Sequence, residues 1–230
     1  MKKNKRLIAL SDVHGEFGLL KELIVNQVKF DPGTDMLLML GDYIDRSPGS
    51  KQVVEYVSHL KEHYPDNVIL LEGSHEELAF YALTGTKPFP YLDDPMRLWL
   101  LNGGKATLDS YGGLSKTRKE LVPFIESLQL YHETDTHIFA HGGIPEGENL
   151  KTATAHELLW DRDLSYRGKK TLVVGHTPHQ EVTVFEDIVC IDTGAFMSGR
   201  LSAYDCLSGT VYEAIENRES ELSLRLLRRR

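Results

Sequence analysis

Leu7-Ile8-Ala9-Leu10-Ser11-Asp12-Val13-His14-Gly15 is a short apolar run that breaks off in an aspartate, a histidine and a glycine. Four apolar residues bounded by turn formers read as a buried strand. Leu19, Leu20, Leu23, Ile24 and Val28 then recur at helical spacing across Phe17 to Val28, and Met36 to Leu40 is a second, wholly apolar strand. It too ends in charged residues, Gly41-Asp42-Tyr43-Ile44-Asp45-Arg46. Val53, Val54, Tyr56, Val57 and Leu60 mark a second helix, and Val68 to Leu71 is a third strand that runs into Gly73-Ser74-His75-Glu76. The order is βαβαβ, which predicts a sheet covered on both faces.

Beyond His75 the pattern turns helical, through Glu77 to Leu83, Met96 to Leu101, Gly104 to Tyr111 and Arg118 to Leu128. Pro88, Pro90 and Pro95 make Thr84 to Pro95 a connector. We read residues 84–128 as a small helical cap inserted into a single domain spanning 1–230. Strands resume at Leu130 to Glu133 and His137 to Ala140, followed by a helix over Ala153 to Trp160. Runs at Leu172 to Val174, Val182 to Phe185, Ile188 to Ile191, Leu201 to Tyr204 and Val211 to Ala214, separated by turn residues, predict antiparallel hairpins. The expected fold is mixed α/β, a four-layer α/β/β/α sandwich of two mixed sheets flanked by helices.

A length of 230 residues allows roughly three quarters of the unfolded surface to be buried in one domain. The net charge of −8 argues against a grip on a nucleic-acid polymer, which draws its affinity from excess lysine and arginine. Small phosphorylated ligands stay compatible with it, because local charge can oppose the global sign. Cys190 and Cys206 lack metal or redox spacing and read as reduced core residues. The apolar stretch after the basic Met1 to Arg6 ends at Asp12, too short for an export signal, and no run approaches a membrane span. A cytoplasmic protein is expected, with the basic tail Arg225 to Arg230 as a solvated helix end.

The breaks between elements carry the chemistry. Asp12 and His14 follow the first strand, Asp42 and Asp45 the second, and Ser74 and His75 the third. His141-Gly142-Gly143 follows the strand ending at Ala140, and Gly175-His176-Thr177 the one ending at Val174. Ligands of open α/β sheets gather beyond the carboxyl ends of the strands, so all five segments can meet on one rim. Asp12 and His14, two apart in extended chain, point to the same side. Gly15 and Gly41 are read as leaving room for backbone close to a ligand. Imidazoles and carboxylates without thiolate suit Mn, Fe, Zn or Co. The donors are too many for one ion, and Asp42 is the natural bridge of a pair about 3.5–4 Å apart.

In this order and spacing the segments resemble the signature of the phosphoprotein phosphatase branch of the calcineurin-like metallophosphoesterases, Gly-Asp-x-His-Gly, Gly-Asp-x-x-Asp-Arg-Gly, Gly-Asn-His-Glu, His-Gly and Gly-His-Thr. Ile191-Asp192-Thr193-Gly194 also resembles compact bacterial serine/threonine phosphatases. The resemblance implies two divalent ions, manganese foremost: Asp12, His14 and His176 on one, His141 with the residue at 74 on the other, and Asp42 bridging. It implies in-line attack of a metal-bridging hydroxide on phosphorus, His75 as the acid for the leaving alkoxide, and Asp45 orienting His75. Arg46 and the Arg162 of Trp160-Asp161-Arg162 would hold the phosphoryl oxygens.

A protein phosphoserine or phosphothreonine is the implied substrate, with a diadenosine polyphosphate as the alternative. An open groove favours the first; a closed pocket with stacking by Phe89, Tyr91 or Trp99 favours the second. Three positions depart from the pattern: Ser11 and Ser47 at non-ligand glycines, and Ser74 at the ligand asparagine. A serine hydroxyl is neutral and one bond nearer the backbone than an amide oxygen. Weaker hold on the second ion and reduced activity are therefore expected, with a non-catalytic phosphate-binding variant as the limiting case. His59, His63, His132, His137, His156 and His179 read as surface or satisfied core residues, Glu76 as a helix-start carboxylate, and Asp192 as structural support.

Overall fold

Three parallel strands, β1 (Arg6–Leu10), β2 (Asp35–Met39) and β3 (Val68–Leu70), form the first half of the chain in the computed structural model, which describes residues 5–86, 94–144 and 150–216. They are joined by α1 (Phe17–Glu22, prolonged by a wider turn over Leu23–Gln27) and α2 (Ser50–His63). Helices α3 (Ser74–Thr84), α4 (Pro95–Trp99), α5 (Lys105–Tyr111) and α6 (Leu114–Glu126) follow. Pro95 opens α4 behind Asp94, whose Oδ1 accepts the Arg97 N–H at 2.9 Å, a placement where the missing proline donor costs nothing. Most of the expected connector, with Phe89 and Tyr91, lies outside the described residues, as does the basic tail.

The second half holds β4 (Tyr131–Glu133), β5 (His137–Ala140), α7 (Ala155–Trp160), β6 (Thr171–Val174), β7 (Thr183–Phe185) and β8 (Ile188–Cys190), with sheet order β4-β5-β6-β8-β7. After α8 (Ala195–Ser198) the chain returns to the first sheet through β9 (Arg200–Asp205) and β10 (Thr210–Ile215), giving β10-β9-β1-β2-β3. The hairpin expectation holds for β7 with β8 and for β9 with β10. It fails for Leu172 to Val174: β6 lies parallel to both β5 and β8 in the middle of its sheet. Its three apolar residues are all buried, as a strand covered on both faces requires, and parallel pairing brings Gly175-His176 to the same sheet end as His141.

Alternation along the strands builds three apolar cores and hence four layers. Ile8, Leu10, Leu37 and Met39 face the helices with Leu20, Leu23, Val53 and Val57. Leu7, Ala9, Leu38 and Leu40 face Phe139, Val173 and Val189 of the other sheet. Ile138, Leu172, Val174 and Ile188 look outward to Leu158 and Tyr166. The helices at 95–126 send Trp99, Tyr111, Leu121, Phe124 and Ile125 into the core shared with α1, α2 and α3, so they complete the helical layer of the first sheet.

Candidate metal centre

Three of the five segments, those after β1, β2 and β6, leave their strands in a conformation that ordinary side chains avoid. Among the described residues eight non-glycine residues have left-handed φ, and six of them are Asp12, His14, Asp42, Asp45, Arg46 and His176. Such residues cost about 1–3 kcal/mol each and persist only where the surroundings over-determine them. Gly41, at φ 89°, is required by packing between the loops: a Cβ there would lie 2.4 Å from the Gly73 backbone. A Cβ on Gly15 would lie 2.5 Å from the Ser47 carbonyl oxygen. These glycines let the site loops pack on one another.

The loops converge on Asp42. Its Oδ2 lies 3.6 Å from His14 Nε2, 3.4 Å from His141 Nε2 and 3.4 Å from Ser74 Oγ, and its Oδ1 accepts the His75 backbone N–H at 2.9 Å. His14 Nδ1 donates to the Ile44 carbonyl at 2.9 Å and His141 Nδ1 to the Leu40 carbonyl at 2.7 Å. A carbonyl only accepts, so each ring keeps its Nε2 lone pair for the centre, the usual arrangement behind a metal-binding imidazole. Two overlapping donor groups result, His14, Asp42 and His75 on one side and Asp42, His141 and His176 on the other. His176 therefore sits with His141, its Nδ1 3.1 Å from His141 Nε2 and 3.4 Å from Ser74 Oγ, and not with Asp12 and His14 as the resemblance implies. Its backbone N–H does reach Asp12 Oδ2, at 3.0 Å.

The electrostatics call for cations in this space. Burial pushes the Asp12 carboxyl up, and burial with the charge of Asp12 pushes Asp192 well up. Asp42 resists burial because His141 and His75 hold it well below the usual range. Burial also works against a charged His141, yet Asp42 raises it to about 10; burial and that neighbour then force His176 down to about 3. Buried carboxylates and imidazoles thus crowd one space and perturb each other's charge, an arrangement whose donors divalent ions would satisfy together. His176 Nε2 is buried without a partner on the other face of its ring.

His75, at the edge of this cluster, turns its Nδ1 toward a carboxylate of its own. Its Nδ1 lies 2.7 Å from Asp45 Oδ2, and Asp45 is wholly buried. Asp45 also accepts from Trp99 Nε1 at 2.9 and 3.1 Å and from the Thr107 hydroxyl at 2.6 Å. Burial lowers the His75 pKa, but Asp42 and Asp45 together outweigh it and raise it. Arg46 Nη2 stands 3.5 Å from His75 Nε2, with its guanidinium over the Phe196 ring. Arg162 donates to the His176 carbonyl at 2.8 Å and to Thr177 Oγ1 at 3.1 Å, so it holds the His176 loop as well as lining the cavity. Both arginines, Asp12, His14, Ser74 and Asp192 border one cavity of about 150 Å³.

Glu76 is more than a helix-start residue. Fully buried, it accepts N–H groups of Asp42 at 2.7 Å, Tyr43 at 3.0 Å and Gly73 at 3.0 Å, tying the second segment to the third. Burial and the charge of Asp42 push its carboxyl up to about 8, against the pull of those donors. Glu76→Gln, which loses acceptor capacity while keeping shape, is expected to destabilise by about 2–3 kcal/mol. Thermal denaturation reads this as a Tm drop of roughly 4–12 °C; an unchanged Tm means the loops hold without it. Thr107 is silent in the sequence, while Trp99 is read there as a candidate stacking ring and Asp192 as structural support, neither as a residue of this centre. A helix-start carboxylate three residues after a loop glycine was the one available signal, and it pointed to Glu76 alone.

The sequence profile of the calcineurin-like phosphoesterases matches residues 5–202. Serine/threonine-protein phosphatase 1 of Salmonella typhimurium is 28% identical over 219 residues, covering 87% of this chain and 92% of its own length. An asymmetrical bis(5'-nucleosyl)-tetraphosphatase of Halalkalibacterium halodurans is 25% identical over 84% of this chain and 87% of its own. A crystal structure of a protein provisionally assigned as a diadenosine tetraphosphatase superposes with a TM-score of 0.68 at 17% identity, covering 92% of this chain and 94% of that one. With a family profile spanning most of its length and a donor set of buried imidazoles and carboxylates at the strand ends, the chain belongs to the calcineurin-like phosphoesterases and is a metal-dependent hydrolase.

Proposed function

We propose that this chain is a cytoplasmic serine/threonine protein phosphatase that works with two divalent ions, manganese foremost. The observation that carries the choice of substrate is the fate of Trp99: its ring is fully buried and its N–H is spent on Asp45, so it cannot stack a nucleobase. Phe89 and Tyr91 lie outside the described residues. The small cavity over the donors instead adjoins an open groove of about 630 Å³, sharing Pro178 and Met197 as walls and lined by His179, Gln180, Thr193, Ser198 and Arg200. A groove of mixed polar and apolar lining with no phenylalanine, tyrosine or tryptophan fits an extended peptide better than a purine. The phosphatase of Salmonella typhimurium, similar over nearly its whole length, supports the same reading.

Asp12 and His14 would hold one ion, His141, His176 and Ser74 the other, with Asp42 between them. When bound, these ions supply Lewis-acid charge to the phosphoryl group and acidify the attacking water. Arg46 and Arg162 reach into the cavity from opposite segments and would orient the phosphoryl oxygens. His75, kept protonated by Asp45, would deliver its proton from Nε2 to the departing serine or threonine oxygen. Asp45 acts through His75 alone, fixing its ring and its charge.

The tetraphosphatase of Halalkalibacterium halodurans is similar over 84% of this chain, which keeps a dinucleoside polyphosphate as the second reading. Turnover of a phosphoserine peptide, an aryl phosphate and a dinucleoside tetraphosphate with added Mn²⁺ separates the two. The expected result is a kcat/KM for the peptide several-fold above that for the dinucleotide. The reverse order assigns the groove to a nucleotide.

A further inference from the structure

At the far end of α2 from the catalytic centre, three exposed side chains group in a way that the sequence reading of His59 and His63 as ordinary surface residues missed. His59, Glu62 and His63 each offer one ligand atom, and these atoms lie within 4.8 Å of one another. We infer that they form a peripheral metal site for a borderline divalent ion of the zinc, nickel and copper class.

The helix dictates the grouping. Positions i and i+4 stand one turn apart on one face, with i+3 beside them, so His59-Leu60-Lys61-Glu62-His63 projects two imidazoles and a carboxylate together. The two rings have centroids 4.0 Å apart. His63 Nδ1 donates to the His59 carbonyl at 2.9 Å. That bond fixes the ring and its tautomer and leaves Nε2 as the outward lone pair, the same device that His14 and His141 use in the catalytic centre.

Ligands bound at 2.0–2.1 Å in a tetrahedron sit about 3.3 Å apart, so small rotations of exposed side chains close the group on an ion. The last turn of α2 adds the negative end of the helix dipole. Lys61, the cation nearest in sequence, has its ammonium tied to the carbonyls of Pro65 at 2.7 Å and Val68 at 2.8 Å. Two imidazoles with one carboxylate favour zinc, nickel or copper over manganese or magnesium. Three protein ligands leave a fourth position to water. This site lies about 20 Å from Ser50, at the other end of the 14-residue α2; the Ser50 hydroxyl accepts the Asp45 N–H, so the ion would clip the end of the helix whose start supports the catalytic loop.

The test uses the whole chain with its catalytic centre first filled by Mn²⁺, then titrated calorimetrically with Zn²⁺ beside a His59→Gln/His63→Gln double variant. Both residues are exposed and outside the catalytic machinery, so hydrolysis of an aryl phosphate before zinc addition should be equal and certifies the fold. The expected result is one more zinc per chain in the unmodified protein than in the double variant, several-fold weaker binding in Glu62→Gln, and slowed amide exchange at residues 60–64 on zinc addition only where the histidines are present. Equal zinc stoichiometry in the two proteins overturns the assignment. So does a zinc equivalent that leaves the exchange of residues 60–64 untouched.

Discussion

His75→Asn is expected to lower kcat on a phosphoserine peptide by about 10²–10⁴-fold, the range of a lost general acid. The geometry makes this residue hard to replace. Asp45 meets its Nδ1 at 2.7 Å and is itself saturated by Trp99 and Thr107, so the imidazole is held in one orientation with its charged form favoured. Among the described histidines of this centre no other has a carboxylate dedicated to it in this way: His14, His141 and His176 all turn toward the shared Asp42 group.

His75 also lies within ligand distance of His14 and Asp42, which gives it a competing role as a metal ligand. Two readouts separate acid from ligand. An alkoxide leaving from serine needs its proton far more than a phenolate, whose conjugate acid has a pKa near 10. An acid role therefore predicts that the aryl phosphate loses at least tenfold less than the peptide, with metal content per chain unchanged. Equal losses on both substrates, or a missing ion, make His75 a ligand or a positioning residue instead.

The sequence made the fold and most of the donor set legible because each piece of information is local. A short strand of mostly apolar residues running into a loop that carries Asp or His shows both its structure and its chemistry within about ten residues, and β1, β2, β3, β5 and β6 all behave that way. What stayed hidden depends on contacts between distant positions. Trp99 reaches Asp45 across 54 residues and Glu76 reaches Asp42 across 34, and neither lies in a pattern that sets it apart from core or capping residues. The parallel placement of β6 follows from what packs on its two faces, which a four-residue run does not encode. The left-handed backbone at Asp12, His14, Asp42, Asp45, Arg46 and His176 is similarly a property of the assembled loops. Aspartate and histidine tolerate that region better than most residues, so the same side chains that bind ions are also ones the strained turns accept.

Ser74→Asn is expected to raise turnover by about 10–100-fold and to tighten the second ion by a similar factor, the scale on which a ligand or its direct support matters. Ser74 opens α3 and is almost fully buried, with its hydroxyl 3.4 Å from both Asp42 Oδ2 and His176 Nδ1. Both distances are long for hydroxyl hydrogen bonds, so the side chain is too short for the place it occupies. It borders the cavity, which gives the two extra heavy atoms of asparagine room to extend toward His141 and His176. An amide oxygen there would complete the donors around Asp42, His141 and His176, whereas serine leaves that side of the group short by one ligand. The unmodified chain should consequently take up Mn²⁺ in two unequal steps, and Ser74→Asn in two nearly equal ones. Electron paramagnetic resonance distinguishes an isolated Mn²⁺ from a coupled pair and reads the difference without reference to turnover. If the unmodified chain already shows a coupled pair at stoichiometric Mn²⁺ and the variant gains no rate, position 74 is not what limits this enzyme. If the variant gains the pair but still no rate, the limit lies in substrate binding, and the groove between His179 and Arg200 becomes the place to look for it.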